Sequence, residues 1–181
     1  SSTESRKFFG FDSYEKFPRG DLKLTSDHEF ITRFEEGSGN PISAGILNQL
    51  IADKCFANPE NIELVKGDVF ETLPVFIDKN PGLKIAALHL DMDVYEPTKF
   101  CLDMLYPMLQ NNGIIICDDY NQVEGATQAF DEFASQFNKK IDKTDFSRTP
   151  YFIVNNWLAN HFIDRLPFLD GCSESDLKSI S

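Results

Sequence analysis

Four short apolar runs in this chain each lead to aspartate: KFFGFD (residues 7–12), IELVKGD (62–68), KIAALHLD (84–91) and GIIICDD (113–119). Runs of this length, bounded by polar or glycine-containing breaks, read as β-strands. The segments between them carry apolar residues at helical spacing. Ile42, Ile46, Leu47, Leu50 and Ile51 follow Pro41, and Phe100, Cys101, Met104, Leu105 and Met108 follow Pro97, so each proline sits near a first helical turn. VFETLPVFIDKN (69–80) reads as a short helix interrupted early by Pro74, and VEGATQAFDEFASQF (123–137) as another. Strands alternating with helices predict an α/β fold with a doubly wound, mostly parallel sheet. KIAALHL is almost continuously apolar, which predicts a central strand covered on both faces with His89 packed in the core. Asn111-Asn112-Gly113 reads as a turn before the fourth strand, and two more strands are expected near 138–142 and at 150–154. Residues 20–40 are polar and contain EEGSGNP, which predicts a mobile loop with one short helical piece. One α/β domain is expected over 1–156. The tail 157–181 reads as a docking helix or the fringe of something larger.

In open α/β sheets, ligands bind outside the carboxyl ends of the strands. Asp12, Asp68, Asp91 and Asp118 should therefore converge on one rim. Asp91 and Asp93 stand at i and i+2 of an extended segment, so their side chains share a direction. Asp118-Asp119 adds a second acid pair. Like charges at such spacing need a cation, a shared proton or water. Hard divalent cations such as magnesium take a few carboxylate oxygens and keep positions open for water or substrate. The competing reading has Asp93, Asp118 and Asp119 capping the structure that follows them. Asp12 suits either a ribose hydroxyl or a turn cap, and Asp68 suits the cap of the helix near Val69, a ligand contact, or both. Tyr95 and Tyr120, next to the acid pairs, fit pocket lining and rim packing equally.

A chain of 181 residues with 41% hydrophobic content fits one domain with a sizeable core. Its net charge of −12 and pI of 4.6 argue against nucleic acid or an anionic membrane as main partner. No apolar stretch approaches the roughly 18 residues of a membrane span, and no secretory signal opens the sequence. Cys55, Cys101, Cys117 and Cys172 lack metal-type spacing; Cys101 and Cys117 read as small core residues, and a reducing, cytoplasmic setting is expected. His28, His89 and His161 are scattered, which suggests neither a zinc site nor a histidine-based triad.

GFDSYEKFP, LVKGDVFETLP, LHLDMDVYEPTKFCLDMLYPMLQNNGIIICDDY and GATQAFDEF together resemble the macrocin O-methyltransferase family. The resemblance covers residues 6–155 and is strongest at 88–131, where D-x-D-x-Y-E-x-T and then D-D-Y recur in the family's order. It implies a Rossmann-like class I methyltransferase that uses S-adenosylmethionine and Mg2+ (or Mn2+) on a hydroxyl of a sugar or related small molecule. By this resemblance Asp91, Asp118 and Asp119 bind the metal and Asp93 is the general base. Asp12 and Ser13 stand at the cofactor ribose, and Asp68 stands near the adenine.

One departure carries consequences. Class I methyltransferases begin with a strand and a glycine-rich turn of the E-x-G-x-x-x-G kind, whereas this chain opens at what corresponds to the second strand. A fragment is therefore expected, with a sheet that closes up or keeps unpaired edges, and with lower stability or homo-oligomerisation to cover them. A non-catalytic methyltransferase-like binding or assembly module is the alternative. A receiver-type magnesium protein is a third reading.

Overall fold

The computed structural model describes residues 6–15, 17, 22–37, 41–54, 59–143 and 151–154. In chain order these form β1 (Phe8–Asp12), α1 (Thr25–Gly37), α2 (Ala44–Lys54), β2 (Ile62–Lys66), α3 (Val69–Lys79), β3 (Ile85–Leu90), α4 (Tyr95–Leu105), β4 (Leu109–Cys117), α5 (Glu124–Gln136), β5 (Asp142–Lys143) and β6 (Tyr151–Val154). Most of the predicted alternation is present. The tail 157–181, Cys55, Cys172 and His161 lie outside the described residues.

The strands form two sheets. β1 pairs with β2 in parallel, and the second sheet has the order β3–β4–β6–β5, with β3 and β4 parallel and β6 antiparallel to both neighbours. Among the described residues, the other edges of β1 and β3 carry no strand partner.

The core lies between one face of the second sheet and the helices α4 and α5. Leu90, Ile115, Cys117 and Ile153 from the strands meet Leu102, Ala126, Phe130 and Phe133 from the helices, and Leu73 of α3 joins them. Burying each large side chain of this kind contributes about 1.5–3 kcal/mol. Phe76 of α3 meets the rings of Phe9 and Phe11 edge-on, at 4.7 and 5.1 Å, which ties the β1–β2 pair to α3. Cys101 and Cys117 are buried free thiols, as expected, and burial pushes both up to about 12.

Three expectations are corrected. Residues 20–40 are not mainly loop, because Thr25–Gly37 is a thirteen-residue helix. Its start at Thr25-Ser26, its buried Ile31 and its end at Gly37 were readable signals that the polar composition masked. Asn111-Asn112-Gly113 lies within β4, where the register slips between the Ile85–Leu109 and Ala87–Ile114 pairs. Asn112 takes φ +61° there, and a Cβ at Gly113 would come within 2.8 Å of the Gln110 carbonyl, so the apparent turn is a bulge. The helix expected after Pro41 is present as α2, with Ile42 before it and Ile46 and Leu50 on it exposed. β3 is not covered on both faces: Ala87 and His89 point to an exposed side, because the described helices pack on the other.

Candidate active site

The parallel register pairs Leu90 of β3 with Cys117 of β4, so both strands deliver the chain to the same rim. The ladder continues one step, with the Asp118 N–H donating to the Leu90 carbonyl at 3.0 Å. Beyond it, the Val94 N–H donates to the Met92 carbonyl at 2.6 Å around Asp93, whose φ is +60°. This is a γ-turn of the rare positive-φ kind, and aspartate is one of the few residue types that tolerates it. A second bond holds it: the Asp93 N–H donates to Asp119 Oδ2 at 3.0 Å. The two acid loops are thus joined to each other by backbone and side chain.

Charge is concentrated here. The Asp119 side chain is buried. Burial, reinforced by the charges of Asp119 and Asp91, pushes the Asp93 carboxyl from its ordinary 3.8 up to about 7. Asp119 is also raised, by burial first, against the stabilising bond from the Asp93 amide. Asp118 Oδ1 lies 3.6 Å from His89 Nε2, with both side chains about half exposed, so this contact is weak. His89 is therefore a rim residue and not a core one.

The capping readings separate cleanly. Val94 and Val123 hold the N-cap positions of α4 and α5, so the side chains of Asp93, Asp118 and Asp119 cap neither helix. Asp68 does cap α3, accepting the Phe70 N–H at 2.9 Å. Asp12 is exposed and accepts the Tyr14 N–H at 2.8 Å, and Ser13 Oγ closes a turn with Glu15. The Gly67 N–H donates to the Asp12 carbonyl at 3.0 Å, which brings Asp12, Ser13 and Asp68 to the adjacent carboxyl ends of β1 and β2. Tyr95 and Tyr120 donate their hydroxyls to Glu132 and Asp131, each at 2.7 Å, and so pack along α5. An open groove of about 540 Å³ borders this helix between Asn121 and Glu132; it lies beside the acid rim and is not lined by Asp91, Asp93, Asp118 or Asp119.

Among the described residues, no three acid, histidine or cysteine side chains are arranged as a ready-made metal site. The donor chemistry nevertheless fits a hard divalent cation. Carboxylate oxygens dominate the rim, with His89 beside Asp118, and the mutual repulsion that adds to burial in raising Asp93 and Asp119 is what a cation would relieve.

Sequence reasoning missed one participant. Asp27 of α1 is fully buried, and its Oδ2 accepts the Tyr95 N–H at 2.8 Å directly beyond the Asp93 turn. The available signal was its place one helical turn before Ile31, where an apolar residue belongs.

Demethyldecarbamoylnovobiocin O-methyltransferase of Streptomyces niveus is 33% identical over 79 residues, 44% of this chain and 29% of that protein. The O-methyltransferase NovP superposes with a TM-score of 0.69 at 22% identity, covering 84% of this chain and 61% of NovP. The calicheamicin methyltransferase CalS11 gives 0.60 at 22% identity, covering 82% of this chain and 60% of CalS11. At these identities the structures establish the fold, that of a Rossmann-like class I methyltransferase. The chain spans about 60% of the length of these structural relatives, and no helix among its described residues is long and apolar enough to cross a membrane. The sequence profile of Macrocin-O-methyltransferase (TylF) matches residues 1–151, and by that match the chain belongs to this family.

Proposed function

We propose that this chain serves in the S-adenosylmethionine- and divalent-metal-dependent O-methylation of a hydroxyl on a sugar or sugar-bearing small molecule. The observation that carries this reading is the junction of the Asp91–Asp93 and Asp118–Asp119 loops, made by the Asp93 amide and Asp119 Oδ2. Asp91, Asp118 and Asp119 would hold Mg2+ or Mn2+, and Asp12, Ser13 and Asp68 would face the cofactor. When bound, the cofactor supplies an electrophilic methyl group, and the cation supplies positive charge that orients and acidifies the acceptor hydroxyl.

The chain's own contribution centres on Asp93. A sugar hydroxyl is a poor nucleophile while it keeps its proton. A carboxylate held beside the acceptor hydroxyl is suited to removing that proton as the oxygen becomes a nucleophile. Asp93 would accept the hydroxyl proton as the acceptor oxygen takes up the methyl group that a bound cofactor would supply. The γ-turn fixes where that carboxylate emerges, so little reorganisation is left for the reacting complex. The relative named demethyldecarbamoylnovobiocin O-methyltransferase, with CalS11, named a calicheamicin methyltransferase, supports a natural-product acceptor.

Manganese titration by calorimetry tests the site. The unmodified chain should bind in the micromolar-to-millimolar range, and Asp118→Asn/Asp119→Asn should lose that binding. Equal affinity in both would remove the metal site. A second reading, a binding module without catalysis, is favoured by the separation of the described strands into two sheets. Titration with S-adenosylmethionine separates the two: saturable binding supports the enzyme, and none supports the module.

A further inference from the structure

We propose that Asp27 is a positioning residue that holds the two acid-bearing loops in register, a role that rests on the acid rim being the working site. The Asp27 side chain enters from α1 and meets both helices that follow those loops. Its Oδ2 accepts the Tyr95 N–H, the first residue of α4, at 2.8 Å. On its other side lies Gly125, the second residue of α5. A Cβ there would sit 2.2 and 2.5 Å from the two Asp27 carboxylate oxygens and 2.6 Å from the Tyr95 nitrogen. Three elements therefore meet at one point where only glycine fits.

A stability role alone does not account for this choice. Asp27 is fully buried at a core-facing position of α1, its Oδ1 has no hydrogen-bond partner among the described residues, and Glu96 and Glu124 add like charge nearby. An apolar residue would satisfy the same position at lower cost. What a carboxylate adds is attraction to the N-termini of two helices at once. Tyr95 is two residues from Asp93, and α5 begins five residues after Asp119. Fixing the two helix starts against each other fixes the loops that feed them. A second tie supports the first, since the Lys23 N–H donates to Glu96 Oε1 at 2.7 Å in the first turn of α4.

The test uses Asp27→Ala, Asp27→Asn and Gly125→Ala in the full chain, with amide hydrogen exchange read residue by residue. Asp27→Ala and Gly125→Ala should speed exchange at Tyr95 and Asp93 by at least about tenfold relative to Ile115 and Ile153, which report the core. Asp27→Asn keeps an acceptor for the Tyr95 N–H and should rescue most of the protection. Mn2+ affinity should fall by about tenfold in the first two variants, the scale of losing support behind a ligand set. Faster exchange confined to Tyr95, with Asp93 and Mn2+ affinity unchanged, would overturn the proposal, as would a uniform rise at every amide. If the unmodified chain binds no Mn2+, the metal reading fails by itself and the exchange pattern alone decides the role of Asp27.

Discussion

Asp93 carries a cost that can be measured without any substrate. Its carboxyl titrates at about 7 in the folded chain against an ordinary 3.8, because burial and the charges of Asp119 and Asp91 oppose ionisation. Below the ordinary value both folded and unfolded chains hold the proton, and stability is complete. Between the two values the unfolded chain releases a proton that the folded chain keeps, so stability falls as pH rises; above about 7 the loss is complete. At 1.36 kcal/mol per pH unit the loss is about 4 kcal/mol, and solvent reaching this partly exposed group reduces it to about 2 kcal/mol. Asp93→Asn removes the ionisation, keeps the shape and tolerates positive φ. In metal-free buffer at pH 8 it should therefore raise Tm by about 4–8 °C for a chain of this size. At pH 5 the gain should shrink to about two-fifths of that, because the unfolded carboxyl has already released most of its proton there. Exposed Asp78 on α3 is the control for general relief of negative charge, and Asp78→Asn should change Tm by the same small amount at both pH values. Thermal unfolding followed by circular dichroism in EDTA measures all of this. An equal gain at pH 5 and pH 8, or none at pH 8, would refute the account of Asp93.

Other outcomes follow from the same contacts. In an active assembly, Asp93→Asn should lower kcat by about 10²–10⁴-fold with metal affinity nearly unchanged, whereas Asp91→Asn should weaken metal binding first and recover activity at high magnesium. Asp68→Ala should lower stability by about 1 kcal/mol through loss of the α3 cap, read as a reduced urea midpoint at constant slope. Phe130→Ala should cost about 3–5 kcal/mol, since this ring is fully buried between α5 and the sheet; a loss below 1 kcal/mol would contradict the described core.

The alternation of elements and the strand-end acids were legible because they follow from local periodicity and from a general rule about α/β sheets. The Asp93 and Asp119 partnership was only half legible. Side-chain alternation placed Asp91 and Asp93 on one side, but the chain leaves β3 at Leu90 and turns at positive φ, which no strand rule anticipates. α1 was obscured because its buried face is narrow and includes a carboxylate, so hydrophobic periodicity underreports it. The bulge at Asn112-Gly113 has the composition of a turn, and only pairing with β3 distinguishes the two. His89 was misread because an apolar run says nothing about whether a second layer covers it.

Departures from ordinary packing are clustered where β3 and β4 deliver the chain. A non-glycine residue in the left-handed region, a buried Asp119 beside a second carboxyl, and a buried Asp27 with an unpartnered oxygen all lie in or against the two acid loops. Away from these loops Asp68 caps its helix, Ser43 receives the Ile46 N–H at the start of α2 and the α4–α5 core is apolar, while Tyr14, Asn112 and Asn138 also take positive φ. A scaffold selected only for assembly gains nothing from strain and crowded charge at one rim. Sites that must move a proton do gain from them, because a carboxyl poised near neutrality requires both burial and like-charged neighbours. A cation bound as proposed would relieve part of that repulsion and leave the geometry that the γ-turn and the Asp93–Asp119 bond impose.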